Sequence, residues 1–417
     1  MVYKIIRVIA NIAIRVFYGK IEVEGFDKIP KDSALLIASN HPNGFLEPII
    51  MACLFPRPLH FMVRGDVFNK NWLRPILEST NQIPIFRARD GFAGLRQNEK
   101  NLSAASKVLR DKGAILVFIE GSTLPLKALR PFQKGLARMA YTHVSNEEDQ
   151  PLNILPVSIN FISQTTFRSR VILNISDPIN ANSYFEGGDE KVKMKSLTQK
   201  LYDVMVEKII HVEDKEKQTT INKALQVLEG FVPMSFWPWM VRKPKFWEHY
   251  KNLSVDIDEM KIDDARALEK DLDTLNFLDQ KYVKRSGKSF LVALLGVVAY
   301  LSPAITGWII NVIPGYFATK FAMTKVPKGM PEFQASLVVV IGMGFYVLYY
   351  LIGLIISVLV FGWLGFLFLL GIPLGFVFLW WKNNLRSSLF RKKYHWSMEE
   401  SKIIRGIFTK HNIDLTI

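Results

Sequence analysis

The stretch ALLIASNHPNGFLEP, residues 34–48, decides the fold class of this chain. Its first five residues form a short aliphatic run before a polar turn, a pattern that predicts a buried β-strand. Two further short apolar runs, residues 114–118 and 154–159, predict strands of the same kind. Helical patterns lie between them at 102–111 and 134–143. This alternation predicts an α/β fold with a mixed, largely parallel sheet and flanking helices.

Composition limits the partners that the chain can have. The chain has 417 residues, a formal net charge of +15 and 29 phenylalanines. Such a charge predicts acidic partners, either nucleic acid, anionic lipid or phosphorylated small molecules. The many aromatic and aliphatic residues favour anionic membrane lipid and argue against nucleic acid. The length allows one sizeable domain and additional segments.

Cysteine and histidine usage argues against structural cross-links and metal sites. Cys53 is the single cysteine, which excludes a disulfide framework. It lies in an apolar run, so we expect a buried structural thiol. The histidines outside the 34–48 stretch are scattered, and no spacing typical of a metal site occurs. We therefore predict neither a metal nor a bound cofactor.

The first 18 residues predict an amphipathic helix at a membrane interface. Lys4, Arg7, Asn11 and Arg15 fall on one stripe, and isoleucines cover most of the remaining surface. A helix that covers a soluble core would explain the apolar face equally well, but not the basic stripe. The charges also interrupt any signal-peptide pattern, so we expect no cleavage and a soluble part on the cytosolic side.

Two long apolar segments follow residue 289. Residues 290–317 and 335–381 contain no charged side chain, and each is long enough to cross a bilayer. Basic residues flank both segments, and the positive-inside rule places them on one side of the membrane. Each segment would then enter and return. We therefore favour a re-entrant hairpin bent near Pro303 over a simple crossing for the first, and a two-helix hairpin that breaks near Gly362 or Gly365 for the second. The flanking basic residues are Lys281, Lys284, Arg285, Lys288, Lys320, Lys325, Lys328, Lys382, Arg386, Arg391, Lys392 and Lys393.

Residues 213–288 predict a polar, helical connector on the membrane surface, and residues 383–417 a basic tail. Aromatic and basic side chains alternate within the connector, as is typical of the headgroup layer. A stacking surface for single-stranded nucleic acid is the competing interpretation. The apolar segments that follow argue against it. The aromatic and basic residues concerned are Phe236, Trp237, Trp239, Trp247, Arg242, Lys243 and Lys245.

Four short motifs occur in order within residues 20–180. They are NHPNGFLEP at 40–48, IPIFR at 83–87, FIEGS at 118–122 and ILPV at 154–157. In this order they resemble the four sequence blocks of the PlsC-like glycerophospholipid acyltransferases. The resemblance implies a fold like that of glycerol-3-phosphate acyltransferases for residues 19–212. It also implies transfer of an acyl chain from acyl-CoA or acyl carrier protein to a phosphorylated glycerol or lysolipid.

The chemistry of the first block agrees with that resemblance. Acyl transfer to an alcohol needs a base for the hydroxyl proton, and the pKa of histidine suits this task. We predict that His41 is the base and Glu47 the carboxylate that orients it, as in a hydrolase triad without its serine. The family usually has Asp after four intervening residues, whereas this chain has Glu after five. The intervening loop must absorb the extra residue.

The other blocks supply the predicted substrate contacts. Arg87 matches a phosphate bidentately, and the resemblance implies substrate binding by Glu120, Gly121, Ser122 and Pro156. Many family members have Pro before the glutamate and Arg shortly after the glycine, where this chain has Ile119 and Leu124. Cations just downstream could replace that arginine, although a solvated charge is the favoured interpretation of each one. They are Lys127, Arg130 and Lys134.

These observations predict an integral membrane O-acyltransferase with its catalytic domain on the cytosolic face. Glycerol-3-phosphate and lysophosphatidate both offer a phosphate and a free hydroxyl. The altered third block leaves open an aminolipid precursor as acceptor. A non-catalytic, membrane-shaping protein with a degenerate domain is an alternative of another class. A transporter is disfavoured because the apolar segments lack ionisable residues.

Overall fold

The computed structural model of the protein describes residues 2–71, 73–86, 102–146, 150–229, 244–275, 288–381 and 398–415. Within them lies one eight-stranded sheet. Each predicted strand is present, because its aliphatic side chains are buried on both faces of the sheet. The strands are β1 (Lys20–Glu24), β2 (Ala34–Ser39), β3 (Leu59–Arg64), β4 (Gln82–Ile85), β5 (Ala114–Phe118), β6 (Leu152–Phe161), β7 (Arg170–Ile175) and β8 (Ile179–Asn180).

The strand order is β1-β7-β6-β2-β5-β3-β4, and β8 pairs with β6. All pairs are parallel except β6 with β7 and β6 with β8. The predicted mixed, largely parallel α/β sheet is therefore confirmed. Strand β2 lies in the middle, with Ser39 opposite both Phe118 and Val157. The residues after β2 thus emerge at the carboxyl edge of the sheet, where open α/β sheets bind their ligands.

Helices cover both faces of the sheet, and a further group follows it in the chain. Helices α1 and α2 and the first turns of α12 share one apolar core with the sheet. Helices α4, α5 and α7 cover the other face. The helices are α1 (Val2–Phe17), α2 (Leu46–Leu54), α3 (Arg74–Ser79), α4 (102–110), α5 (Gly135–Asn146), α6 (Ala181–Phe185), α7 (Glu190–Val206), α8 (Gln218–Glu229), α9 (Trp247–Glu259), α10 (Ile262–Thr274), α11 (Lys288–Lys325), α12 (Glu332–Phe361), α13 (Gly371–Trp380) and α14 (Met398–Lys410).

Helix α1 forms as predicted, but two members of its basic stripe, Arg7 and Arg15, contact the protein instead of water. Arg15 is only 6% exposed, and its Nε donates to Asn11 Oδ1 at 2.9 Å. One Nη of Arg7 donates to the carbonyls of Cys53 and Phe55 at 3.2 and 2.7 Å, at the carboxyl end of α2. The guanidinium thereby satisfies carbonyls that the end of a helix leaves without partners. Arg7 and Arg15 thus hold the helix to the domain, whereas Lys4 is exposed, and the placement of α1 at a membrane interface stays a prediction.

The exposed face of α1 is instead partly apolar. Val2, Ile5 and Val8 are 46%, 51% and 62% exposed. These positions lie three residues apart and share one side of the helix. The thiol of Cys53 on α2 is buried beneath α1, and burial raises its pKa to about 12. A structural thiol, as predicted, fits that environment.

Residues 213–288 are helical where the structure describes them, but they pack as a core and not as a surface layer. Helices α8, α9 and α10 enclose apolar side chains together with Phe408 of α14. Trp247 is 4% exposed, so its predicted place in the headgroup layer was wrong. Phe236, Trp237, Trp239, Arg242 and Lys243 lie outside the described residues. The basic tail likewise contains a helix, α14, that docks on α10.

A buried ion-pair network joins this helical layer to the sheet. Arg170 of β7 is 1% exposed and bonds Glu22 of β1 at 3.0 Å and Glu229 of α8 at 2.9 Å. The hydroxyl of Tyr250 on α9 also donates to Glu229. Burial next to Glu229 raises the pKa of Tyr250 far above its ordinary value. Because a buried charge needs a partner, this network fixes α8 and α9 against the sheet edge.

The two apolar segments form one bundle, which comprises α11, α12 and the returning segment 362–380. Helix α11 continues through Pro303 and Pro314, so the predicted re-entrant bend at Pro303 does not occur. Proline removes one helical hydrogen bond without ending the helix here. The second segment turns back at Gly362, whose φ of +58° and ψ of −140° suit glycine alone. This turn agrees with the predicted hairpin break.

Two helical stretches are long and apolar enough to cross a membrane. They are Val298–Lys325 and Glu332–Leu379. Only 6% of the most apolar window of the second stretch is buried within the protein. A core helix of a soluble protein would be mostly buried. The exposed apolar surface of the second stretch therefore fits contact with lipid better.

Candidate active site

The site begins where β2 ends, at a segment that we call the histidine loop, residues 40–45. The side chain of Asn40 continues the sheet ladder past the end of the strand. Its Nδ2 donates to the carbonyl of Ile159 at 2.9 Å, and its Oδ1 accepts the N–H of Ile159 at 2.8 Å. Asn40 is 3% exposed. This paired amide contact fixes the direction in which the loop leaves the sheet.

His41 is held by contacts to its backbone and to its ring. Its backbone N–H donates to Glu120 Oε2 at 2.8 Å. Its ring stacks on Phe118, with ring centroids 4.0 Å apart and an interplanar angle of 11°. Phe118 and Glu120 both lie at the end of β5, beside β2 in the sheet. Parallel pairing of β2 and β5 therefore brings the first and third sequence blocks together.

Glu47 lies in the first turn of α2 and points back to the imidazole. Its Oε1 is 3.5 Å from His41 Nδ1, and its side chain is 0% exposed. The same oxygen accepts the backbone N–H of Asn43. A carboxylate is also favoured at this position by the dipole of the helix. The structure thus brings together the two residues predicted to be the base and its orienting acid.

The extra residue between His41 and Glu47 is accommodated in the histidine loop, as expected. Helix α2 begins only at Leu46, so the whole insertion lies outside the helix. Gly44 turns the chain with a φ of +41°, and the N–H of Leu46 donates to the carbonyl of Asn43 at 3.2 Å. A helical phase shift therefore does not separate the two side chains.

This geometry suits general-base chemistry. Because Nδ1 faces the buried carboxylate, Nε2 is the ring nitrogen that a substrate hydroxyl can approach. The imidazole side chain is 17% exposed, whereas Glu47 is closed off from solvent. A buried carboxylate next to Nδ1 favours the tautomer with its proton on that nitrogen and stabilises the imidazolium.

The third block makes protein contacts that its sequence did not predict. Glu120 Oε1 accepts the N–H of Arg130 at 2.9 Å, and Oε2 pairs with the Arg130 guanidinium at 2.7 Å. The guanidinium also donates to Ser122 Oγ at 2.6 Å. Arg130 is thus tied to the third block, and Glu120 connects that block to the histidine loop. Gly121, between them, has a φ of +70°.

Two of the other predicted contacts lie away from solvent. Lys127 is 5% exposed and donates to the carbonyls of Phe161 and Ile162, so the predicted phosphate or solvent contact was wrong. Burial lowers the pKa of this amine to about 7. Pro156 is buried inside β6 opposite Ala38, so it has no surface for a substrate in this conformation. Lys134 is exposed. Arg87 lies outside the described residues and stays a prediction.

Residues 20–160 match the family described as Acyltransferase. The matched region contains the histidine loop, Glu47 and the third block. Residues 20–160 thus form an acyltransferase domain, similar to those of the PlsC-like family. Within the described residues, this acyltransferase domain and its neighbours contain no group of three or more His, Cys, Asp or Glu that could hold a metal ion.

Three curated relatives share the acyltransferase domain at low identity. One is "Glycerol-3-phosphate O-acyltransferase 2" of Saccharomyces cerevisiae, 25% identical over 26% of this chain and 15% of the relative. "Probable 1-acyl-sn-glycerol-3-phosphate acyltransferase" of Mycoplasma pneumoniae is 25% identical over 29% of this chain and 45% of the relative. "1-acyl-sn-glycerol-3-phosphate acyltransferase" of Bacillus subtilis is 23% identical over 26% and 53%.

The chain thus spans about half or less of the length of these relatives. Among solved structures, it is similar to the 1-acyl-sn-glycerophosphate acyltransferase PlsC of Thermotoga maritima. The TM-score is 0.35 and the identity 19%, over 48% of this chain and 77% of that one.

Sequence reasoning missed several residues that build the site. Asn40 and Asn43 belong to the first block, but nothing in the sequence showed that their amides hold the loop. Phe118 reads as an ordinary strand residue, and only the strand pairing places its ring against His41. Two residues of α12, Glu332 and Ser336, also lie against the loop. No sequence pattern connects them with a site almost 300 positions earlier.

Proposed function

We propose that the protein is a membrane-bound O-acyltransferase that transfers a fatty acyl chain from acyl-CoA or acyl carrier protein to glycerol-3-phosphate or lysophosphatidate. The observation that carries the proposal is the buried Glu47 carboxylate, 3.5 Å from Nδ1 of the partly exposed His41 ring. The names of the curated relatives support the choice of acceptors.

In the proposed reaction, His41 Nε2 takes the proton of the acceptor hydroxyl as its oxygen attacks the thioester carbon. The new C–O ester bond forms and the C–S bond breaks. The thiolate of the donor leaves and receives the proton from the imidazolium. Glu47 holds Nδ1–H throughout and stabilises the transient imidazolium charge. No acyl-enzyme intermediate is needed, because the acceptor attacks the donor directly.

We further propose an integral membrane protein whose catalytic domain, residues 19–212, faces the cytosol. The two candidate membrane spans and the exposed apolar side of α1 support membrane attachment. A lipid product and an acyl donor with a long chain both favour a site close to the bilayer. Arg87 is the proposed phosphate ligand, and the donor is a substrate and not a resident cofactor.

The test uses the full-length protein in nanodiscs with anionic lipid. Acyl-CoA or acyl carrier protein is supplied with glycerol-3-phosphate, lysophosphatidate or an aminolipid precursor, and mass spectrometry follows the product. Product from a phosphorylated acceptor supports the proposal. Product only from an aminolipid precursor would change the substrate class. No product from any acceptor would favour a non-catalytic, membrane-shaping protein.

A further inference from the structure

The first turns of helix α12 lie directly against the histidine loop. Ser336 of this helix is 0% exposed, although it belongs to an apolar segment with the composition of a membrane helix. Its hydroxyl accepts the backbone N–H of Phe45 at 3.2 Å and donates to Asn43 Oδ1 at 3.2 Å. Both partners lie between His41 and Glu47. One side chain of the apolar bundle therefore satisfies two polar groups of the candidate active site.

The contact between the helix and the loop is close. A Cβ at Gly44 would lie 2.7 Å from Ser336 Oγ and 3.1 Å from the carbonyl of Glu332. Any larger residue at this position would push the loop and the helix apart. Ala335 and Val339, on the same part of α12, are buried in the core that contains α2. The helix is thus packed into the catalytic domain at this end.

Asn43 connects Ser336 to the predicted catalytic pair. Its side-chain oxygen accepts from Ser336, while its backbone N–H donates to Glu47 Oε1, the oxygen that faces His41. Its Nδ2 lies 3.4 Å from the hydroxyl of Tyr18 and 3.3 Å from the carbonyl of Gln164. Asn43 is 0% exposed. Each of these buried contacts restricts the direction of the N–H that holds Glu47.

We propose that Ser336 is a positioning residue, which acts through Asn43 to hold the His41–Glu47 pair in its reactive geometry. The docked end of the membrane helix would then be part of the catalytic apparatus and not only an anchor. This inference rests on the proposed acyltransferase activity. Without the hydroxyl, the loop keeps its sequence but loses one donor and one acceptor that define its path.

The kinetic test compares Ser336→Ala with Ser336→Thr, which retains the hydroxyl. Ser357→Ala is the matched control, since it makes the same change on the same helix about 30 Å further along its axis. We expect Ser336→Ala to lower kcat about tenfold, because small displacements of a reacting pair cost rate steeply. KM for donor and acceptor should change less than about twofold, because the fully buried Ser336 offers no surface to either substrate. Ser336→Thr should recover most of kcat.

A double-mutant cycle tests the route through Asn43. In an Asn43→Ala background, Ser336→Ala should lower kcat clearly less than in the wild type, because only the contact to the N–H of Phe45 is then left to lose. Fully additive losses would overturn the route through Asn43. Unchanged kcat in Ser336→Ala, or a loss explained by a smaller folded fraction, would overturn the positioning role.

Hydrogen exchange provides a readout that does not need activity. In Ser336→Ala, amide exchange in the peptide that covers residues 40–47 should accelerate at least several-fold, while Ser357→Ala should leave it unchanged. Unchanged exchange in that peptide would overturn the inference even if the wild type proves inactive. An inactive wild type with the expected exchange would instead overturn the proposed function and leave the loop coupling standing.

Discussion

The two ends of helix α12 show how one apolar helix can serve two environments. At its first turns, Ala335, Ser336 and Val339 are 1%, 0% and 4% exposed against the catalytic domain. At its last turn, Leu359 and Phe361 are 80% and 65% exposed. Beyond Glu332, Gln334 and Ser336 in its first turns, the helix is almost entirely apolar, so an apolar residue such as Val339 or Leu359 does not by itself reveal its surroundings. One end completes a protein core, and the other presents the surface that lipid would cover.

The docked end of α12 matters for function only if the histidine loop, which it contacts, carries the chemistry. His41→Ala is therefore the change with the largest expected effect. We expect kcat to fall about 10²- to 10⁴-fold, the range supplied by a general base. Glu47→Gln should also reduce kcat strongly, because a neutral amide stabilises the imidazolium less. Acyl transfer in nanodiscs measures both.

His249→Ala is the matched control for that experiment, because His249 lies on α9, away from the histidine loop. Its kcat should remain within about twofold of the wild type, since it contacts neither member of the pair. Thermal unfolding of all the variants shows whether they remain folded. Product formation at the wild-type rate in His41→Ala would remove this residue from the mechanism.

The two ends of α12 should also respond differently to the same charge. Val339→Asp places a carboxyl in the buried core and should destabilise the catalytic domain by several kcal/mol. Leu359→Asp alters a position that is 80% exposed and should leave unfolding of the domain almost unchanged. It should instead weaken insertion into vesicles, because a charge in the hydrocarbon region costs about 3 kcal/mol. Differential scanning fluorimetry and vesicle flotation separate the two effects. Equal loss of thermal stability in both variants would contradict the comparison.

The sequence was sufficient for three central strands of the sheet and for the proximity of His41 and Glu47, whose catalytic role stays a prediction. Buried strands of a parallel sheet are continuous aliphatic runs, so residues 34–38, 114–118 and 154–159 were recognisable one by one. His41 and Glu47 were recognisable because their chemistry is local to one motif. The extra residue lies in the histidine loop, before α2 begins at Leu46, and leaves Glu47 Oε1 3.5 Å from His41 Nδ1.

The sequence was not sufficient where a long-range contact decides the environment. The stripe containing Arg7 and Arg15 predicted a helix face in contact with water or lipid headgroups, yet Arg7 bonds the end of α2. Lys127 resembled a solvated charge, and only the fold brings its amine to the carbonyls of Phe161 and Ile162 at the end of β6. Ser336 carried no signal, because a serine in an apolar segment is compatible with lipid, protein or a site. Periodicity reports which residues share a face but not what covers that face.

Lys127 in the catalytic domain and Asn311 in the bundle are both polar side chains that donate to backbone carbonyls. Burial lowers the pKa of Lys127 from 10.5 to about 7. Between these values the folded state binds fewer protons than the unfolded state, so stability rises with pH from about 7 towards 10. It falls as the pH drops through this window, because the amine of the unfolded chain gains a proton that the buried amine does not.

Lys127→Met should remove this contribution to the pH dependence. We expect Tm of the wild type to rise between pH 7 and 9 relative to that of the variant, by several degrees for a change of about 1–2 kcal/mol. Parallel Tm curves for the two proteins would show that Lys127 does not titrate in this range. Exposed Lys134 is the control residue, since Lys134→Met should leave the slope unchanged.

Asn311 gives the smallest expected effect, on the bundle side of the comparison. Its Nδ2 donates to the carbonyls of Gly307 and Gly371 at 2.8 and 2.9 Å, and its Oδ1 accepts the hydroxyl of Tyr350 at 2.9 Å. These contacts join α11, α12 and α13. In a bilayer such a side chain contributes only about 0.6–2 kcal/mol, because the separated helices also find polar partners.

Asn311→Leu and Tyr350→Phe should therefore loosen the bundle slightly without lowering kcat. Tyr349→Phe removes the hydroxyl of the preceding residue, which takes no part in these bonds to Asn311, and serves as the matched control. Cysteine accessibility or proteolysis of the bundle in nanodiscs measures the loosening, and acyl transfer measures its consequence. If Asn311→Leu lowered kcat as far as Ser336→Ala does, the packing of the whole bundle would control the site. An effect confined to Ser336→Ala would show that only the docked end of α12 does so.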